Sequence, residues 1–367
     1  MKEVAIKDIC KKDSSALKQK ELLPEGKYPV FGASGIAGYL DRYHQKKEYI
    51  GIVKDGSGIG RVAFYPAESS LIGTMQYVLP KENYDIRYIG YCLQSLDLSK
   101  YKQGAAIPHI YFRDYGEQLV KVTDNWEEQH SIVSRLDSAF SHIDALKANA
   151  EKQLNEARKL FQAELTECMR PKEGWEEKKL GEVCRIERGG SPRPIKAFIT
   201  DDPNGLNWIK IGDTDPQGKY IYSTKEKIKR EGLKKSRWVE EDEFLLSNSM
   251  SFGRPYILKT NGCIHDGWLV LRDYQKSLFI DYFYYMLLSS IVQKQFKMKA
   301  QGSTVSNLNT DRVSSVKISY PSLSVQHAIV SHLDSLSSTI RKLEELQQKT
   351  LAECDALKQA MLREVFE

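Results

Sequence analysis

Five loops of the sequence combine cations with glycine, four of them with hydroxyls as well, in a way that suits phosphates and base edges. Lys54-Asp-Gly-Ser-Gly-Ile-Gly-Arg61 sets Lys54, Ser57 and Arg61 on a glycine-rich backbone. Arg188-Gly-Gly-Ser-Pro-Arg193 and Ser247-Asn-Ser-Met-Ser-Phe-Gly-Arg254 do the same with Arg188, Arg193, Asn248, Ser251 and Arg254. Lys102-Gln-Gly-Ala-Ala106 offers Lys102 and Gln103. Lys297-Met-Lys-Ala-Gln-Gly-Ser-Thr304 offers Lys297, Lys299, Gln301 and Ser303. Lys210, in Asn207-Trp-Ile-Lys-Ile-Gly212, joins this set. Lys and Arg neutralise phosphates, whereas Arg, Asn, Gln and Ser can hydrogen-bond base edges. Glycine lets a backbone come close to a phosphate. For any single loop, a solvated turn is the competing explanation. His44, His109 and His265 read as structural residues rather than ligands.

Other chemistries find no support. The sequence has no Walker A loop, no HExxH and no GxSxG. It also lacks an Asn-Pro-Pro-aromatic motif and a Pro-Asp…Glu-x-Lys nuclease cluster. Gly56-Ser57-Gly58-Ile59-Gly60 is glycine-rich but without dinucleotide-binding spacing. The six cysteines include no pair closer than 16 positions, so no CxxC is available for zinc or redox work. They read as reduced thiols packed as small hydrophobes. No catalytic, cofactor-binding or metal-binding residue is therefore expected. Of 367 residues, 54 are basic and 49 acidic, which gives a net charge of +5. Charged residues at 28% and hydrophobic ones at 41% suit an ordinary globular chain of two or three domains. No apolar run reaches the roughly 18 residues of a membrane span, and the N-terminus shows no apolar signal core. A cytoplasmic location is expected.

The loops lie in a chain that repeats itself. Gln129-His-Ser-Ile-Val-Ser-Arg-Leu-Asp-Ser138 returns as Gln326-His-Ala-Ile-Val-Ser-His-Leu-Asp-Ser335, with eight of ten positions identical at an offset of 197. Over 129–165 the identities number 18 in 37. A fainter repeat pairs Ile6-Lys-Asp-Ile-Cys10 with Leu180-Gly-Glu-Val-Cys184, at offset 174, and Gln103-Gly104 with Gln301-Gly302, at offset 198. The second lobe therefore carries about 24 extra residues. Four segments follow: lobes at 1–123 and 172–321, repeated segments at 124–171 and 322–367.

The repeated segments read as long helices. Their apolar residues recur in steps of three and four, with no internal Pro or Gly. The first carries Ile132, Leu136, Ile143, Leu154 and Phe161, and the second Ile329, Leu333, Ile340 and Leu351. This is the spacing of a coiled-coil seam, and a whole lobe between the segments permits an antiparallel pair. A 40-residue helix spans about 60 Å. The lobes read as mixed, with strands at 48–53, 60–65, 76–79, 207–211, 244–247 and 267–271, and short helices at 85–96 and 281–295. An α+β lobe around a curved sheet is expected. Charge is segregated: the lobes carry +4 and +6, the helices −3 and −2. Basic lobes on a mildly acidic spacer suit a polyanion gripped at two points.

Two basic lobes, each followed by the same helix motif, resemble the specificity (S) subunit of type I restriction-modification systems. Gln129-His-x-Ile-Val-x-x-Leu-Asp137 and its copy at 326–334 carry the likeness. Lys179-Leu-Gly-Glu-Val-Cys184, Tyr28-Pro-Val-Phe-Gly-Ala-Ser-Gly35, Asn207–Gly212 and Gln301-Gly-Ser-Thr304 extend it over essentially the whole chain. The first lobe departs, with a shorter opening and Gly104-Ala-Ala-Ile-Pro in place of Gly302-Ser-Thr-Val-Ser. The resemblance implies two target recognition domains separated by two long antiparallel coiled-coil helices, in a pseudo-twofold internal repeat. Each lobe would read one half of a bipartite, asymmetric site in double-stranded DNA. The helices would set the gap, and their seam residues would pair or dock two methyltransferase (M) subunits. S-adenosylmethionine would belong to those subunits, ATP and Mg2+ to the restriction (R) subunits, and the chain itself would catalyse nothing. A specificity subunit of a fused restriction-methylation enzyme, or a protein-binding coiled-coil adaptor, are the alternatives.

Overall fold

In a computed structural model, residues 1–104, 108–215, 218–248, 253–300 and 308–367 are described. Ser251, Gln301 and Ser303 lie outside them. The chain forms two compact units, 1–152 with 346–367, and 153–345. Both divisions fall inside the two long helices, Trp126–Cys168 and Leu323–Phe366. The units thus differ from the four expected segments, because part of each helix completes each lobe's core. No helix among the described residues is long and apolar enough to cross a membrane.

The first unit holds three sheets rather than one curved sheet. Cys10–Ser14, Met75–Pro80, Tyr49–Val53 and Val62–Tyr65 form an antiparallel four-stranded sheet in that order. Gly35–Leu40, Tyr28–Gly32 and Ser70–Leu71 form a second, and Lys2–Ala5 pairs with Leu119–Val122. Tyr49–Val53 is buried at every position, since both of its faces are covered. Ile50 and Ile52 face a core shared with helix Ile86–Ser95, while Tyr49 and Val53 face a second cluster with Leu71, Met75 and Tyr77. Gly51 between them has no room for a side chain: a Cβ there would lie 2.5 Å from the Tyr65 ring. Helix Ile86–Ser95 starts where Asp85 caps it, accepting from the amides of Arg87 and Tyr88.

The second unit spends its extra length on sheet. Arg185–Arg188, Trp268–Arg272, Phe244–Ser247 and Pro255–Leu258 run antiparallel, with Tyr220–Ile221 parallel at the edge. A second sheet orders Ile199–Thr200, Glu226–Ile228, Leu206–Ile209, Gly262–Ile264 and Arg237–Val239. Two expectations need correction. The strand expected over 207–211 stops at Ile209, because the Asp213 carboxylate accepts from the Lys210 amide (2.8 Å) and starts a turn of 3-10 helix. The helix expected over 281–295 is two helices, Ile280–Leu288 and Ser290–Ala300. Buried Ser289 breaks them with an extended backbone, its hydroxyl donating to the Met286 carbonyl (2.7 Å).

The long helices pair antiparallel within each unit. In the first, Lys147 meets Asp355 (2.8 Å) and Lys358 meets Asp144 (2.5 Å). In the second, Arg158 meets Glu344 (2.7 Å) and His332 meets Glu164 (3.0 Å). As the number rises on one helix it falls on the other. These exposed pairs each contribute at most about 1 kcal/mol. Apolar burial does more. Ile132, Leu136 and Ile143 share one core with Cys354, Leu362 and Phe366. Leu333 shares the other with Leu165, and Phe161 and Ile329 pack against it. Leu154 is buried, whereas Ile340 and Leu351 are half-buried.

Candidate nucleic-acid interface

In the second unit, Asp266 gathers the loops that sequence singled out. Strand Trp268–Arg272 brings the turn before it beside the end of Arg185–Arg188, where the Gly189 amide donates to the Trp268 carbonyl. The Asp266 carbonyl accepts from Arg188 Nε (3.2 Å) and Asn248 Nδ2 (2.8 Å). Its carboxylate accepts from the Ser191 hydroxyl (2.8 Å) and lies 3.5 Å from Arg193 and 3.0 Å from His265. Burial pushes this carboxyl up, but the Ser191 hydroxyl, His265 and Arg193 together hold it below the usual aspartate range. Gly189 allows the close approach, since a Cβ there would sit 2.3 Å from the His265 carbonyl oxygen. Beside this knot Ser191–Ile195 and His265 line a cleft of about 580 Å³. The Arg193 side chain is 80% exposed and can exchange Asp266 for a phosphate. Asn248 is fully buried, and its Oδ1 finds no partner among the described residues.

The remaining second-lobe candidates do not join this knot. Arg254 lies against Tyr256, its guanidinium 5.5 Å from the ring and its Nε donating to the hydroxyl (3.0 Å). Lys210 pairs with Glu226 (2.7 Å). Lys297 and Lys299 stand in the last turn of Ser290–Ala300, where cations oppose the helix dipole favourably.

In the first unit the loop after Tyr49–Val53 turns through Gly56, Gly58 and Gly60, all with positive φ. Gly60 must be glycine for space as well, because a Cβ would fall 2.8 Å from the Ser99 amide. Arg61 is exposed, and its guanidinium donates to the Ala33 carbonyl. Ala33 lines a cleft of about 780 Å³ walled by residues 15–19, 32–37 and 72–74. The Gly32-Ala-Ser-Gly35 stretch supplies small residues to that wall. Lys54 is half-buried, and burial, with Lys12 second, holds its ammonium below the usual lysine range. Ser57 is exposed. His109 ties this loop to the 102–104 segment: its ring contacts Asp55, and its backbone pairs with Gln103 (2.8 and 2.9 Å). The Gln103 amide donates to Asp114 (2.9 Å), and Lys102 is exposed.

Sequence reasoning missed two groups. Asp266 and Ser191 organise the second-lobe loops, yet an acidic residue 75 positions from its partner leaves no local pattern. The polar members of the repeated helix motif were also missed, although their recurrence was the signal. Gln129 is fully buried and donates to the Asn83 and Thr123 carbonyls (both 3.0 Å), while its Oε1 accepts from the Asp85 amide (2.7 Å). Gln326 does the same with Ser277, Pro321 and Phe279 (2.8, 2.9 and 2.8 Å). Asp137 takes Tyr91 and Arg87, and Asp334 takes Tyr285 (2.5 Å). The motif thus fastens each long helix to the short helix of its lobe.

A family model for the type I restriction modification DNA specificity domain matches residues 1–156 and 172–352. A Haemophilus influenzae protein assigned as a type I restriction enzyme specificity subunit is 24% identical over 346 residues, covering 89% of this chain and 84% of its own. A chain from a structure of complex assembly and conformational transition in the type I R-M system has a TM-score of 0.76 at 18% identity, covering 99% of this chain and 96% of that one. The HsdS subunit from Thermoanaerobacter tengcongensis follows at TM-score 0.52 and 17% identity, covering 99% and 95%. At these identities the solved structures show a shared fold.

Proposed function

The chain belongs to the family of type I restriction-modification DNA specificity domains and is a specificity subunit of that kind, and on this premise we propose that each lobe reads one half of a bipartite, asymmetric DNA site. The observation that carries the reading is the double family match, one per unit, on lobes that each present basic, glycine-bearing loops. In the second lobe Arg188 and Arg193 would meet DNA around Asp266, whose carbonyl buried Asn248 holds in place. In the first, Lys54, Ser57, Arg61, Lys102 and Gln103 would meet it beside the small-residue cleft. Phosphate contacts supply salt-sensitive affinity, and each good base contact discriminates by about 1–3 kcal/mol. Two linked half-sites raise each other's effective concentration, and the helices between them would set the gap.

The chain would act without catalysis of its own, in a complex with two methyltransferase subunits and with restriction subunits. Those partners would bring S-adenosylmethionine, ATP and Mg2+. The buried helix residues Ile132, Leu136, Ile143, Leu154 and Leu333 are occupied inside the chain, so docking would fall on exposed leucines instead. Leu160 is 72% exposed and Leu357, its equivalent at offset 197, is 51% exposed. Each unit thereby offers an equivalent apolar site, which fits two copies of one partner.

The test is a genome-wide methylome of the source strain with and without this gene. Loss of methylation at one split motif is expected, and it would deliver both half-sites and the gap. An unchanged methylome, together with no DNA binding by the chain copurified with methyltransferase subunits, would overturn the reading.

A further inference from the structure

The long helices bring a second kind of cluster together in the second unit. Glu164 and Cys168 stand one turn apart on Trp126–Cys168, so they share a face. His332 comes from Leu323–Phe366. Its Nε2 lies 3.0 Å from Glu164 Oε1, and the Cys168 sulfur lies 3.6 Å from the same oxygen. The imidazole nitrogen, thiol sulfur and carboxylate oxygen all fall within 4.8 Å of one another. We propose that Glu164, Cys168 and His332 bind a zinc-class divalent cation that clamps the two long helices together in this unit.

The geometry and the donors agree. Bonds of about 2.0–2.3 Å in a tetrahedral site put neighbouring ligand atoms about 3.3–3.8 Å apart. The sulfur–oxygen pair is already there. The oxygen–nitrogen pair must open by a few tenths of an ångström, and the nitrogen and sulfur already lie within 4.8 Å of each other. Thiolate with imidazole selects zinc-class ions over magnesium and calcium, which prefer all-oxygen shells. Water fills the fourth position. Glu164 and His332 side chains are 43% and 52% exposed, so an ion can enter from solvent.

An ion pair between Glu164 and His332 would by itself account for those two residues. It does not account for a thiol directed at the same oxygen, from the one cysteine of six that is not buried. The internal repeat supplies a control. The positions equivalent to His332, Glu164 and Cys168 in the first unit are Arg135, Met361 and Val365, which cannot hold the ion. The clamp therefore belongs to one unit alone. It is independent of the DNA reading, because metal occupancy is measured without DNA or methylation.

Cobalt titration of the full chain tests it. A sulfur-to-cobalt charge-transfer band should grow to one equivalent, and zinc should displace it with the same stoichiometry in calorimetry. Cys168→Ser should abolish the band. His332→Arg copies the first unit's residue and keeps a cation opposite Glu164, so the ion pair survives while the metal ligand is lost. Loss of binding in both variants supports the clamp. No band in the natural chain, or one-equivalent binding that persists in either variant, overturns it.

Discussion

The two units fasten their long helices in the same way and arm their loops in different ways. Gln129 and Gln326 each answer two backbone carbonyls and one amide, and Asp137 and Asp334 each take a tyrosine hydroxyl from the neighbouring short helix. The loops share no such pattern. The first unit has a glycine turn, a half-buried Lys54 and a cleft of small residues. The second has arginines, a serine and an asparagine drawn onto Asp266. The difference has a physical reason. A helix that docks on a core must satisfy buried backbone groups at fixed positions, and few residues do this. A surface loop carries no such obligation, so its side chains are free to suit a different ligand surface.

The largest effects should come from the shared lock. Gln129→Ala or Gln326→Ala leaves three backbone groups without partners, one buried and two part-buried, at a cost of about 2–4 kcal/mol or roughly 5–15 °C in Tm. Thermal unfolding should show comparable losses for both variants. A large loss for one and none for the other would mean that the two locks are not equivalent.

A smaller, assembly-specific effect should follow changes on the exposed helix faces. Leu160→Asp and Leu357→Asp should leave Tm within about 2 °C, since surface substitutions usually stay within ±0.5 kcal/mol. Each should weaken retention of methyltransferase subunits by about tenfold or more, read by copurification or titration. Full retention by both variants would move the docking surface elsewhere.

The smallest effect sharpens the contrast between the loops. Arg193→Ala should lower the slope of log affinity against log salt by about 1, as one phosphate contact is lost. Lys54→Ala should lower it less, because Lys54 is half-buried whereas Arg193 is exposed. Equal slopes would show that exposure does not separate the two loops.

Much of this architecture was legible because it depends on periodicity. Steps of three and four between Ile132 and Leu165, and their recurrence from Ile329, required long amphipathic helices. Tyr49–Val53 and Phe244–Ser247 stood out as apolar runs because both are buried at every position. The break at Ser289 was not legible, since a serine inside an apolar helix pattern gives no sign that its hydroxyl will bond the Met286 carbonyl. The division into sheets was not legible either, because it depends on which distant strands meet.

By itself, then, the sequence determined the two lobes, the repeated helices and the loop chemistry, all of which follow from residue type and local spacing. Only the tertiary structure decided that Gln129 and Gln326 would be buried locks, that Asp266 would collect Arg188, Ser191, Arg193 and Asn248, and that His332 would meet Glu164 and Cys168. Most of those contacts join residues from 18 to 168 positions apart. Such pairings are fixed by the packing of whole elements and not by any local preference.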